Sequence, residues 1–152
     1  MTQIDGPGES PAADVERRLA ALRRLSGALA ALTAEAESPG GTVRAVCAYG
    51  RGVTDLVIAP TAPELEGDRL PAVVQRTIAA ATDEVHRRAT GLLRDLRAEA
   101  REISAILTAA ATPADPADAA ALAKLREVWA AYQSTVDATV DVFEATSLER
   151  SP

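Results

Sequence analysis

The sequence predicts an α+β fold: long helices around one small antiparallel sheet, with a further helix at the C-terminal end. Three observations predict it. Leucine and valine recur at three- and four-residue spacing over much of the 152 residues, the mark of amphipathic helices. The stretch ESPGGTVRAVCAYGRGVTDLVIAP at 37–60 breaks that period and alternates instead, which reads as strand. Prolines and glycines sit at the borders between the two patterns.

Taken in order, residues 1–13 carry Gly6, Pro7, Gly8, Ser10 and Pro11 and read as a disordered tail. A first helix is expected from about 13 to 32, with Val15, Leu19, Leu22, Leu25, Leu29 and Leu32 as its apolar stripe and Asp14 as its cap. TAEAES offers a short first strand. Pro39, Gly40 and Gly41 then turn the chain into TVRAVCAY, with Val43, Ala45, Cys47 and Tyr49 on one face. Gly50-Arg51-Gly52 forms a hairpin loop. The strand VTDLVIAP follows, with Leu56 and Ile58 inward and Pro60 as its end.

Residues 61–69 read as a proline- and acid-bearing loop. A second helix is expected from about 70 to 111, starting on Pro71. Its stripe is Leu70, Val73, Val74, Ile78, Val85, Leu92, Leu96, Ile103 and Ile106. At about 60 Å for some 40 residues, it outruns a compact sheet and needs a partner to cover its stripe. TPADPAD at 112–118 is a linker, because its prolines interrupt a helix. A third helix is expected at 119–146, with stripe Leu122, Leu125, Trp129, Tyr132, Val136, Val140 and Phe143, and 147–152 form a tail.

Composition bounds the function. Alanine supplies much of the 47% hydrophobic fraction and aromatics only 3%. Alanine favours helix but buries little area, so the chain gains by packing against a second copy. The abundance of Arg, Ala, Gly and Pro, with Lys124 the only lysine, suggests a GC-rich bacterial genome. One cysteine, Cys47, excludes an internal disulfide framework. No apolar run approaches the roughly 20 residues of a membrane span, and the N-terminus lacks the pattern of a secretory signal. A cytoplasmic protein without membrane contact is expected.

No enzyme, cofactor or metal site is expected either. His86 is the only histidine and, with one cysteine, makes no zinc set. Cys47 lies mid-strand among apolar residues and reads as a small core filler rather than a nucleophile. Gly50-Arg51-Gly52 is too short to cradle a phosphate.

The ordered set Ser38-x-x-Gly41-x-Val43, Gly50 and Gly52 at the turn, Ile58-Ala59-Pro60 closing the second hairpin strand, Leu65, and then an alanine-bearing amphipathic helix resembles the YbaB/EbfC family of nucleoid-associated proteins, in an actinobacterial form with an added C-terminal helix. The likeness covers about residues 15–100, within an expected domain of 14–111. It implies an α-β-β-β-α fold that dimerises through sheet and helices into a tweezers shape, and DNA binding with little sequence specificity on the nucleoid. The chain departs from the family in its third helix, in a weak basic N-terminal segment and in its net charge of −6. Some actinobacterial relatives are associated with type VII secretion, which implies an alternative: an interaction or accessory protein of the same fold that holds a protein partner.

Charge is unevenly spread. Residues 14–30 hold four arginines against two acids, residues 67–111 seven against six, and residues 112–152 three bases against seven acids. The candidate DNA contacts are Arg17, Arg18, Arg23 and Arg24 on the first helix and Arg87, Arg88, Arg94, Arg97 and Arg101 on the second. Arginine's planar fork suits phosphate. Two arrangements compete with that role. Asp95, Glu99 and Glu102 are placed to pair along the helix, and the acidic third helix is placed to fold back over the basic face. The expected dimer interface and core is Val43, Ala45, Cys47, Leu56 and Ile58.

Overall fold

The computed structural model describes residues 10–60, 69–110 and 115–150. The order is α1 (Pro11–Ala30), β1 (Thr33–Glu37), β2 (Val43–Ala48), β3 (Gly52–Ile58), α2 (Arg69–Ala109) and α3 (Pro116–Arg150). The class is α+β, with three helices and one three-stranded antiparallel sheet in the order β1-β2-β3. The chain divides into two units: residues 26–94, which hold the sheet, and residues 1–25 with 95–152, which are helical. No helix among the described residues is long and apolar enough to cross a membrane.

In the sheet unit, β1 pairs with β2 from Thr33↔Ala48 to Glu37↔Arg44. A turn around Pro39–Gly41 joins them, and Ser38 closes it. Its Oγ accepts from the Val43 N–H at 2.9 Å, its own N–H donates to the Val43 carbonyl at 2.8 Å, and its carbonyl accepts from Gly41 N–H at 2.8 Å. Gly40 and Gly41 both take positive φ, 85° and 73°, which a side chain would oppose. The spacing Ser38-x-x-Gly41-x-Val43 is therefore a closed hydrogen-bonded turn. The β2–β3 hairpin uses Gly50 at φ 78°, with Arg51 N–H donating to the Ala48 carbonyl at 3.2 Å.

β2 pairs with β3 through Val43↔Ile58 and Ala45↔Leu56, and an irregularity near Val46 and Cys47 leaves Thr54 as the extra residue. Val43, Ala45 and Cys47 are buried, as expected. Leu56 and Ile58 are not: opposite Ala45 and Val43, on the helix-facing side of the sheet, they stay 39% and 41% exposed, and every residue of β3 is exposed. The reason is geometric. Three strands are about 14 Å wide, whereas one helix covers about 10 Å. The core forms where α2 meets β1 and β2, from Ala34, Ala45, Cys47, Ala81 and Val85.

The α2 stripe differs from the expected one. The buried positions are Thr77, Ala81, Val85, Ala89, Leu93, Leu96, Ile103 and Leu107, so the chosen Leu92 and Ile106 give way to their C-terminal neighbours. Alanine at 81 and 89 leaves room for the helix to lie close to its neighbours, a role that size-weighted reading passes over.

In the helical unit, Val15, Leu19 and Leu22 of α1, Leu96, Ile103 and Leu107 of α2, and Leu122, Leu125, Trp129 and Val136 of α3 are buried. The Trp129 indole donates to Ser104 Oγ at 3.0 Å. Arg126 donates to the carbonyls of Leu107 and Ala110 at 2.9 and 3.0 Å, which satisfies the C-terminal end of α2. The cover expected from a second copy thus comes, for this part of α2, from the chain's own helices.

Both helix starts fall earlier than expected, for one reason. Ser10 caps α1 through Ala13 N–H to Ser10 Oγ at 3.1 Å, with Pro11 in its first turn, so Asp14 is not the cap. Asp115 caps α3 through Ala117 N–H to its Oδ1 at 3.0 Å, with Pro116 first. Proline is suited to a first turn, so Pro116 begins the helix that the 112–118 linker was expected to precede. Residues 1–9 of the expected tail, 61–68 of the expected loop (Leu65 included), 111–114 of the linker and 151–152 lie outside the described residues, while α3 runs on to Arg150 through most of the expected C-terminal tail. Replacing Ser38→Ala removes the buried side-chain acceptor of the Val43 N–H. It is expected to lower stability by about 1–2 kcal/mol, read by urea denaturation.

Candidate nucleic-acid interface

The arginines nominated for phosphate contact sit on helices, and most of them already face acids. In the sheet unit, Glu84 lies one turn before Arg87 and Arg88. Arg87 Nε donates to Glu84 Oε1 at 3.0 Å and Arg88 Nε to Glu84 Oε2 at 2.7 Å. These hydrogen bonds, from Arg87 and then Arg88, hold the Glu84 carboxyl down to about 2. Arg88 Nη1 also reaches the Thr33 carbonyl at 3.3 Å, tying α2 to the start of β1. Arg94 is exposed.

In the helical unit, Arg17 and Arg18 converge on Asp14, Arg18 at 3.1 Å, and Arg18 Nη1 crosses to Glu99 of α2 at 3.3 Å. Burial works against the Arg18 charge, but Asp14 and Glu99 together outweigh it and hold its pKa above the ordinary value. Arg97 is bound by Glu144 of α3. Glu99 and Arg97 were expected to pair along α2, and each instead reaches another helix. Arg23, Arg24 and Arg101 are exposed and make no ion pair among the described residues.

Arg97 and Arg101 line a cleft of about 550 Å³ opposite Asp137 and Asp141 of α3. A separate cleft of about 600 Å³ lies in the sheet unit between the Ser38 turn and the start of α2. Its lining includes Glu37, Pro39, Arg69, Ala72, Val73 and Arg76. Cys47 is buried, with its Sγ 3.5 Å from Thr82 Oγ1, in the position of a core filler. Among the described residues no group of three or more His, Cys, Asp and Glu is arranged to hold a metal ion.

Sequence reasoning missed Glu84 and Glu144. The first was readable, because a Glu three and four residues before two arginines is a standing helix pair. The second was not, since 47 residues separate it from Arg97.

No known family matches this chain, nor does any curated protein or solved structure.

The Glu84 carboxylate is expected to titrate near 2 in the folded protein, well below the ordinary glutamate value of about 4.3. Its folded pKa is depressed, so its contribution to stability is present above that ordinary value and is lost as pH falls towards about 2. Carbon-detected NMR titration of Glu84 reads this. Replacing Arg87→Ala and Arg88→Ala together should return the midpoint towards the ordinary value.

Proposed function

We propose that the protein is a homodimeric nucleoid-associated protein of the YbaB/EbfC type, gripping duplex DNA through arginine–phosphate contacts with low sequence preference. The observation that carries this reading is β3. It is an edge strand exposed along its whole length, with Val53, Leu56, Val57 and Ile58 each between 39% and 47% exposed. A long apolar edge is a template for pairing with another chain, and the same strand of a second copy supplies both hydrogen bonds and apolar cover. Joined sheets carry the helices outward in pairs, as in the tweezers arrangement that the motifs imply. Val43, Ala45 and Cys47 then form the core beneath the junction, with Leu56 and Ile58 at it.

For the DNA contact, support comes from Arg23, Arg24 and Arg101, which are exposed and make no ion pair among the described residues. Arg87, Arg88 and Arg97 are held by exposed ion pairs, which are weak and screened by salt, against a duplex carrying one charge per about 1.7 Å. The protein works in this reading in the cytoplasm, on the nucleoid, without cofactor or catalysis.

A second reading has its own observation. Arg17, Arg18, Arg87, Arg88 and Arg97 are all charge-compensated. On that ground the same dimer serves as an accessory or regulator that holds a protein partner, as in type VII secretion.

Two measurements test these readings. Sedimentation of the wild type should give twice the 15.8 kDa chain mass, and Leu56→Lys with Ile58→Lys should return it to the single-chain value. Fluorescence anisotropy with a labelled duplex should show affinity falling linearly with log salt. Arg23→Ala, Arg24→Ala and Arg101→Ala together should weaken binding and reduce the slope by about 0.9 for each phosphate that is no longer neutralised. A folded dimer without affinity at low salt favours the protein-partner reading.

A further inference from the structure

The two halves of α3 are held in different ways. From Leu122 to Val136 it is anchored by buried Leu122, Leu125, Trp129 and Val136. From Asp137 to Ala145 no residue is buried, Val140 and Phe143 are half-buried, and Val142 is 65% exposed. This second stretch carries Asp137, Asp141 and Glu144 at i, i+4 and i+7, one face of a helix. On α2, Arg97 and Arg101 are likewise one turn apart.

The helices run antiparallel: Arg126 meets the Leu107 carbonyl, Trp129 meets Ser104 and Glu144 meets Arg97. That register brings the acidic face onto the arginines. Glu144 binds Arg97, while Asp137 and Asp141 stand across a cleft from Arg101. Three carboxylates thus sit where a run of phosphates would sit. A helix whose outer stretch has no buried residue among those described, and whose inner stretch is held by core, can release the first and keep the second.

We infer that α3 from Asp137 onward is an acidic cover over Arg97 and Arg101, binding Arg97 and facing Arg101 across the cleft where the DNA backbone would enter, and lifting from Val136 to admit it. This rests on the DNA-binding reading and names its regulation. The fold survives the movement because the buried residues described in α3 all precede Asp137. A polyanion competes for the same arginines, so duplex DNA drives the opening, and salt weakens both the cover and the ligand's grip.

The test uses the full chain with Asp137→Asn, Asp141→Asn and Glu144→Gln together, with folding checked by circular dichroism and a labelled duplex of mixed sequence as the probe. The neutralised chain should bind about tenfold more tightly than wild type at low salt, with a slope steeper by about 0.9 for each freed arginine. Adding Arg97→Ala and Arg101→Ala should erase the gain. A control chain with Glu16→Gln, Asp118→Asn and Glu127→Gln makes the same change in net charge elsewhere. An equal gain in the control, or wild-type affinity in the neutralised chain, overturns the cover and leaves the DNA-binding reading standing. Folded chains that all fail to bind at low salt overturn both.

Discussion

A single helix laid on a three-stranded sheet is too narrow for it, and much of the sheet unit follows from that mismatch. α2 settles over β1 and β2, where Ala34, Ala45 and Cys47 present small side chains and Ala81 returns the same smallness from the helix. Close approach makes up in contact what these residues lack in area, since dispersion depends on separation rather than on residue type. The third strand is left to pair on one edge only. β3 therefore carries apolar side chains that stand exposed among the described residues.

The helical unit solves the complementary problem. The C-terminal half of α2 has a broad apolar stripe and no sheet. α1 and α3 bring leucines, Trp129 and Val136 to it, and Arg126 spans to the last carbonyls of α2. Charged residues at the edge of this core pair within and between helices: Asp14 of α1 and Glu99 of α2 meet Arg18 of α1, and Glu144 of α3 meets Arg97 of α2. Such contacts add little stability at an exposed surface. What they do is set a carboxylate beside Arg18 and beside Arg97.

Much of the fold was legible in the residues. The change from helical to alternating period located the three strands, and Ser38, Gly41 and Val43 marked a turn whose hydrogen bonds explain their spacing. Pro39, Gly50 and Gly52 placed the connections. Helix starts were less legible, because Ser10-Pro11 and Asp115-Pro116 read as breaks until proline is weighed as a first-turn residue. Alternation put Leu56 and Ile58 on the correct face, yet burial depends on the width of whatever lies above, which no pattern within a strand encodes. For the arginines, spacing found the candidates and the pairing of Arg87 and Arg88 was within reach. The pairing of Arg97 was not, since it depends on how a helix far along the chain comes to lie.

The chromophores are divided in a way that follows from these contacts. Trp129, the only tryptophan, has its indole hydrogen-bonded to Ser104 inside the helical unit, with Tyr132 at 6.4 Å between ring centres. Tyr49 sits half-buried beside the sheet core, where burial raises its phenol pKa. Indole emission thus reports melting among the helices, while Tyr49 ionisation reports loosening of the strands, giving two native optical handles on separate parts of one polypeptide without any dye.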